Sequence, residues 1–414
     1  MSAPPVTLKI QRLGAQGDGI AEYEGRQLFV PLALPNETIE AEIEGARARL
    51  LRIIDAAPDR APPRCSHYGE CGGCTLQHLP ADLYRSLKRD LVTTALSFEG
   101  IDAVVDDVMV IPPASRRRAV FAAHRRGKQI IVGFHGKRSH HIVGIDDCAV
   151  LTPGLLALVP RLGQLAAIAA PPKDALTITA TETLSGFDIA LTGASKTLSA
   201  DARAQLVQTA GTLGIARLSI NGRLEMEWIA PQLRVGNAAI QPAAGGFLQA
   251  TRESEAAMLS LVQQAVGAAR RIVDLFSGAG TFSLPLAGNA TLHAVENDEE
   301  ALAALQLMSR KDSSLKPVTT EKRDLLRRPL TRAELKRFDA AVIDPPRAGA
   351  EAQIRELAAS DVKRAAMVSC NAATFSRDLK IMLSSGWRVT RITPVDQFLW
   401  SAHIEIVAAL DRKS

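Results

Sequence analysis

The chain has 414 residues, more than one core of ordinary size holds, so two or three domains are expected. Its 47% apolar content is that of a globular protein, and the longest apolar runs, near 154–160 and 162–171, are too short and proline-broken to span a bilayer. The net charge of +5 points weakly to a polyanionic partner, and the opening Met1-Ser2-Ala3-Pro4-Pro5 does not read as a secretion signal, so a soluble, cytoplasmic protein is expected.

Residues 6–55 alternate apolar and polar side chains in short runs, as in Val6-Thr7-Leu8-Lys9-Ile10 and Thr38-Ile39-Glu40-Ala41-Glu42-Ile43. Gly14, Gly17, Gly19 and Gly25 supply turns between the runs, which predicts a small β-barrel. The segment Gly17-Asp18-Gly19-Ile20-Ala21, followed by Phe29-Val30-Pro31 and Pro35-Asn36-Glu37, resembles the TRAM domain, an OB-like barrel that binds RNA. A purely structural barrel is the competing reading. Asp55–Pro63, with its three prolines, reads as a linker.

In a reducing cytoplasm the five cysteines are poor disulfide candidates, which leaves metal ligation or catalysis. Cys65, Cys71 and Cys74 share one short loop, with Gly72 and Gly73 letting it wrap closely, and Cys148 follows in Ile145-Asp146-Asp147-Cys148. Four soft sulfur ligands suit a zinc ion or an iron–sulfur cluster, and the spacing does not choose between them. Between Ser115 and His141 runs the densest positive segment: Arg116, Arg117, Arg118, Arg125, Arg126, Lys128, Lys137 and Arg138, with His124, His140 and His141 and no acid among them. Strand-like runs interleave it, so a phosphate-contacting surface is expected rather than an ordinary solvated face. Residues 150–240 read as a mixed α/β continuation and yield no site.

The last third changes character. Arg271–Phe276 predicts a buried strand, followed by the turn Ser277-Gly278-Ala279-Gly280-Thr281 and a helix from Phe282. The strand His293–Glu296 ends in an acid about twenty residues past Asp274, the order that nucleotide-binding βαβ units share. Further strands are predicted over 317–321, 340–343, 365–369, 388–394 and 403–408; no helix separates the last two, so an antiparallel hairpin should end the sheet. Asp344-Pro345-Pro346-Arg347 follows a strand end, where open α/β sheets place ligands. Cys370 and Asn371 follow Ala365–Ser369 and precede a helix burying Phe375, Leu379 and Met382. With Asn371 as N-cap, Cys370 sits where free amides and the helix dipole favour a thiolate, so a lowered pKa is expected. A lone cysteine is more often a small apolar residue, and only its company argues otherwise.

That company is Val273-Asp274-Leu275-Phe276-Ser277-Gly278-Ala279-Gly280-Thr281-Phe282, Asp344-Pro345-Pro346-Arg347, Val368-Ser369-Cys370-Asn371 and His403-Ile404-Glu405. Together these resemble the RNA uridine C5-methyltransferases, and the four spaced cysteines with the amino-terminal barrel resemble the iron–sulfur branch typified by a 23S ribosomal RNA enzyme. The resemblance implies an α/β fold with a class I S-adenosylmethionine methyltransferase (Rossmann-like) domain over 241–414. Before it would come a TRAM/OB-like barrel over 1–60 and a central α+β domain over 61–240. It implies a 4Fe–4S cluster on Cys65, Cys71, Cys74 and Cys148, and S-adenosylmethionine contacts at Gln249, Phe276, Thr281, Glu296, Asp324 and Asp344. It also makes Cys370 the nucleophile that adds to C6 of the uracil and Glu405 the general base; His403, two residues along the expected strand and so on the same face as Glu405, is expected to orient or to be structural.

The implied partner is 23S ribosomal RNA, with tRNA as the alternative, no membrane, and a monomer by default. One departure is visible: Thr251 stands where the family often has asparagine. Two other classes remain open, a non-catalytic RNA-binding or assembly factor and, from the Asp-Pro-Pro tetrad, an amino-group methyltransferase.

Overall fold

The computed structural model describes residues 4–127, 129–172 and 174–412. Five strands, β1 (Val6–Leu13), β2 (Gly19–Tyr23), β3 (Arg26–Val30), β4 (Thr38–Glu44) and β5 (Arg47–Asp55), close into a barrel of order β1-β2-β3-β5-β4. The alternating apolar residues Leu8, Ile10, Leu28, Val30, Ile39 and Ala41 fill it, as the two-residue period requires. The β1–β2 loop leans on the cysteine loop: a Cβ on Gly17, whose φ is +77°, would collide with the Leu76 side chain.

The chain then forms α1 (Ala81–Phe98) and the short β6 (Met109–Val110), followed by β7 (Arg118–Arg126), β8 (Gln129–His135), β9 (Ile142–Gly144), α2 (Pro153–Ala169), β10 (Leu176–Thr183), β11 (Gly186–Thr192), α3 (Ala200–Thr212), β12 (Ile215–Ile220) and β13 (Arg223–Glu227). A seven-stranded sheet of order β13-β12-β11-β10-β7-β8-β9 carries α2 and α3 and buries Phe121, Leu155, Leu162, Ile178, Ile189 and Leu206. After the small pair β14 (Leu233–Val235) and β15 (Ala238–Ile240) comes α4 (Arg252–Val266). Thr251 is its N-cap, accepting from the Ser254 amide at 3.1 Å.

The remaining elements are β16 (Arg271–Leu275), α5 (Ser283–Leu286), β17 (Thr291–Glu296), α6 (Glu299–Lys311), β18 (Val318–Lys322), α7 (Arg332–Leu335), β19 (Ala340–Ile343), α8 (Glu351–Ala358), β20 (Arg364–Ser369), α9 (Ala372–Ser384), β21 (Trp387–Asp396) and β22 (Glu405–Arg412). They build an eight-stranded sheet of order β18-β17-β16-β19-β20-β22-β21-β6, parallel from β18 to β20, with β22 inserted antiparallel between β20 and β21. Its central strands are apolar on both faces: Val273, Leu275 and Ile343 meet Phe375 and Leu379 of α9, while Ile272 and Val342 meet Met258 and Val262 of α4. Val92 and Leu96 of α1 join the α9 side, and β6 pairs with the end of β21, so residues 81–110 lie against the C-terminal sheet in space.

Three sequence expectations change. The helix from Phe282 is a single turn, Ser283–Leu286. His403 lies before β22, not within it. The basic segment is not one surface. Arg117 is buried against Glu255 of α4 at 2.8 Å, Arg125 donates to the Ala167 carbonyl at 2.7 Å, and Lys137 approaches Asp18 at 3.7 Å. Arg126, Arg138, His140 and His141 remain exposed, and Lys128 lies outside the described residues. Among the described residues no helix is long and apolar enough to cross a membrane.

Candidate active site

The carboxyl ends of the parallel strands face one cavity of about 530 Å³, lined by Gln249, Phe276, Thr281, Glu296, Asp324, Asp344, Cys370 and Glu405. The structure thus brings together residues spread over the last 160 or so positions of the chain, because open α/β sheets gather their loops at that edge. The turn after β16 forces Phe276 to φ +63° and Gly280 to +93°, and a Cβ on Gly280 would press on Leu305 at 3.0 Å. Glu296, at the end of β17, accepts from the amides of Gly278 (3.0 Å), Asn297 (2.6 Å) and Asp298 (3.0 Å). Beneath the turn, Asp274 is buried and accepts from the Ser283 hydroxyl at 2.6 Å; burial raises its pKa to about 7, with Asp344 and Glu296 adding to the shift. Asp324 accepts from the Leu326 amide at 3.1 Å. Ser277 is among the residues lining the cavity, and its hydroxyl oxygen is buried without a hydrogen-bond partner among the described residues.

On the opposite wall, Asp344 follows β19, Cys370 follows β20 and Glu405 opens β22. Ser369 pairs with Ile406 across β20 and β22, so Cys370 and Glu405 are cross-strand neighbours. Asn371 caps α9, accepting from the Ala373 amide at 3.0 Å, and donates to the Arg347 carbonyl at 3.1 Å. Burial first, then the Asp344 charge, lifts Glu405 to a pKa of about 8; Glu405 is only 5% exposed. Burial, with the Glu296 charge behind it, lifts Asp344 to about 7.

The Cys370 thiol is pushed up, not down as its place before α9 suggests. Burial and the neighbouring Glu405 carboxylate raise it, and the Arg347 guanidinium opposes them. His403, rather than sharing a strand face with Glu405, meets Arg347 through Nδ1 at 2.9 Å. Burial and that cation lower its pKa, and Nδ1 faces a guanidinium that can only donate. A second, more open cavity of about 840 Å³ reaches Cys370 from outside, lined by Arg347, His403, Phe134, Lys137 and Arg138. Cys370 and Arg347 line both cavities.

Sequence reasoning missed Gln397 and the group behind it. Asp396 bonds Lys88 Nζ at 2.6 Å and the Tyr84 hydroxyl, with all three buried. The signal for Lys88 is its place in the apolar stripe Tyr84, Leu87, Val92 and Leu96 of α1. Gln397 has no such signal, since Gln249, Ala250 and Ser254 reach it from far away in the chain.

Cys65, Cys71, Cys74 and Cys148 line one cavity of about 290 Å³, next to Arg116, Phe398 and Gln397. All are free thiols, and burial raises the pKa of each. The loop is tightly seated: a Cβ on Gly72 would lie 2.8 Å from the His135 carbonyl oxygen. No three described His, Cys, Asp or Glu side chains converge closely enough to hold a single metal ion.

A sheet parallel from β18 to β20, with a glycine turn after β16, an acid ending β17 and a cavity at the strand ends, defines a nucleotide-binding α/β fold. A crystal structure of Pyrococcus abyssi tRNA (uracil-54, C5)-methyltransferase with S-adenosyl-L-homocysteine shares that fold over 97% of this chain and 99% of its own, at a TM-score of 0.75 and 22% identity. The family model for tRNA (Uracil-5-)-methyltransferase matches residues 194–413. An RNA methyltransferase of Rhizobium meliloti (strain 1021) is 45% identical across 98% of this chain and 99% of its own. The 23S rRNA (uracil(1939)-C(5))-methyltransferase RlmD of Pseudomonas fluorescens is 32% identical across 98% of this chain and 93% of its own. The chain belongs to this family of S-adenosylmethionine-dependent RNA (uracil-C5)-methyltransferases.

Proposed function

We propose that this enzyme methylates C5 of a uridine in 23S ribosomal RNA through a covalent Cys370–C6 adduct. One observation carries the mechanism: Cys370 and Glu405 are cross-strand neighbours on the wall of the strand-end cavity, and Cys370 also lines the outer cavity. The 23S assignment rests on the 32% identity to RlmD over nearly the whole chain. A tRNA uridine is the second reading, favoured by the full-length fold match to a tRNA enzyme.

In this reading Gln249, Phe276, Thr281, Glu296, Asp324 and Asp344 hold S-adenosylmethionine, which when bound supplies an electrophilic methyl group. Glu296 and Asp324 offer carboxylates for hydroxyls and amines, and the aromatic face of Phe276 offers a stacking surface. C5 of uracil is a poor nucleophile. Addition of the Cys370 thiolate to C6 pushes the C5=C6 electron pair towards an enolate, so that C5 becomes the attacking carbon. The Arg347 cation beside Cys370 favours the thiolate. After C5 is methylated, Glu405 takes the C5 proton; the C–H pair re-forms C5=C6, and the C6–S bond breaks to return the Cys370 thiolate. The target base enters from the outer cavity, splayed from its stack, with Lys137 and Arg138 near the flanking phosphates.

The four cysteines line one cavity, and four soft sulfur donors are a set that a 4Fe–4S cluster takes. It would brace the neighbouring loops, since polar methyl transfer needs no electron. The division into a barrel over 1–60, a central domain over 61–240 and a catalytic domain over 241–414 belongs to the same proposal, as does action in the cytoplasm.

The test is the purified enzyme on large-subunit ribosomal RNA and on tRNA, read as 5-methyluridine by mass spectrometry. Product in ribosomal RNA alone is expected; product in tRNA alone would overturn the substrate. RNA carrying 5-fluorouridine should form an adduct that survives denaturation with the wild type and not with Cys370→Ala. An adduct persisting in Cys370→Ala would overturn the mechanism.

A further inference from the structure

We infer that Gln397 is a positioning residue that sets the catalytic base, aiming one amide hydrogen at Glu405 and the other at Gln249. The inference rests on the reading of Glu405 as the base. Gln397 sits between β21 and β22, is 2% exposed, and uses its whole carboxamide. Oε1 accepts from the Ala250 amide at 2.9 Å and from the Ser254 hydroxyl at 2.7 Å; Nε2 donates to Gln249 Oε1 at 2.8 Å and to Glu405 Oε1 at 3.3 Å.

The orientation is not a free choice. The Ala250 amide can only donate, so the atom facing it must be the oxygen, and the nitrogen must face Gln249 and Glu405. The backbone next to it is also fixed, because Asp396 is locked by Lys88 and Tyr84.

Two consequences follow for the cavity. Gln249 has its oxygen engaged, so its own amide hydrogens are the group left for a bound acceptor. Glu405 has Oε1 engaged, so Oε2 is the oxygen left to receive the C5 proton. The bond from Gln397 also favours the carboxylate, working against the burial that raises the Glu405 pKa. Gln397 therefore keeps the base both oriented and partly ionised.

The test uses Gln397→Leu, which removes the whole amide, and Gln397→Glu, which keeps its shape and an oxygen for Ala250 and Ser254. Each is compared with wild type and Glu405→Gln by single-turnover assay, following methyl transfer and release of the methylated adduct separately from pH 6 to 10. Release should slow about tenfold in Gln397→Leu, the size of one hydrogen bond to a charged group, and at least as much in Gln397→Glu, whose carboxyl replaces the donor with an oxygen facing Glu405. Its pH midpoint should rise by about one unit. Folded variants that release adduct at the wild-type rate with an unmoved midpoint overturn the inference, as does loss of thermal stability alone. Glu405→Gln separates the two readings: if it releases adduct normally, Glu405 is not the base and the proposed mechanism fails first.

Discussion

Glu296 and Glu405 are carboxylates at strand termini on one cavity, and the protein houses them in opposite ways. Glu296 stands on the glycine-turn side with three backbone amides directed at it. Glu405 is buried, faces the Asp344 charge, and has one long hydrogen bond from Gln397. Short of donors and beside a like charge, a buried carboxyl holds its proton to higher pH, as burial and Asp344 raise Glu405 to about 8. In the proposed mechanism the contrast separates the acid that binds, Glu296, from the acid that takes a proton, Glu405.

The sharpest break in that contrast is to neutralise each acid in turn. Glu405→Gln should lower turnover roughly 10²–10⁴-fold with cofactor KM nearly unchanged, and should accumulate methylated adduct on denaturing gels. Glu296→Gln should chiefly raise cofactor KM. Equal effects on KM would erase the distinction. The pH dependence sharpens it further. As the proposed base, Glu405 must be ionised to take the proton, so the rate of adduct release should rise with pH through about 8. The stability linkage has the opposite sign. A carboxyl whose folded pKa is raised holds its proton longer than the unfolded chain does, so it destabilises increasingly from about pH 4 to its folded pKa. Glu405→Gln should therefore melt roughly 2–4 °C higher than wild type at pH 8 and show no gain at pH 4.

The walls also differ in how they are supported. The hydrogen bonds around Glu296 and Asp274 stay within neighbouring strands and turns. The wall that carries Glu405 relies on α1, where Lys88 and Tyr84 hold Asp396 beside Gln397. Lys88→Met would leave Asp396 buried and unpaired, at a cost of about 3–5 kcal/mol of stability. Denaturant unfolding should register that loss. Restoration by a second change, Asp396→Leu, would show that the stranded charge was the cause.

This difference in support explains what the sequence made legible. The barrel, the βαβ turn, the Asp-Pro-Pro tetrad, the Asn371 cap and the closing hairpin were readable because each is written in adjacent residues with a period or a turn signal. The cavity's eight proposed residues were named through family motifs, and the fold brings them to one edge. The Gln397 network was not legible, because Ser254 and Gln249 reach it across more than a hundred residues. The Cys370 thiol was misjudged for the same reason: the helix mouth is local and visible, whereas burial and the Glu405 charge come from another strand. Arg117 read as surface because its acid, Glu255, lies in α4.

The smallest effect is expected at Thr251, which begins the hydrogen-bond chain that ends on Glu405. Its hydroxyl accepts from the Ser254 amide and donates to Ser254 Oγ at 2.7 Å, and Ser254 in turn donates to Gln397. Thr251→Ala removes the α4 cap and should lower stability by about 1 kcal/mol. Thr251→Asn should be nearly neutral, since asparagine caps equally well and its amide can still donate to Ser254. This would make the departure from the family's asparagine an exchange of equivalent caps. If Thr251→Asn unfolds at lower denaturant than Thr251→Ala, the side chain's packing governs the position and the cap does not. If both leave stability unchanged but slow adduct release, the chain through Ser254 orients Gln397 more than it holds α4.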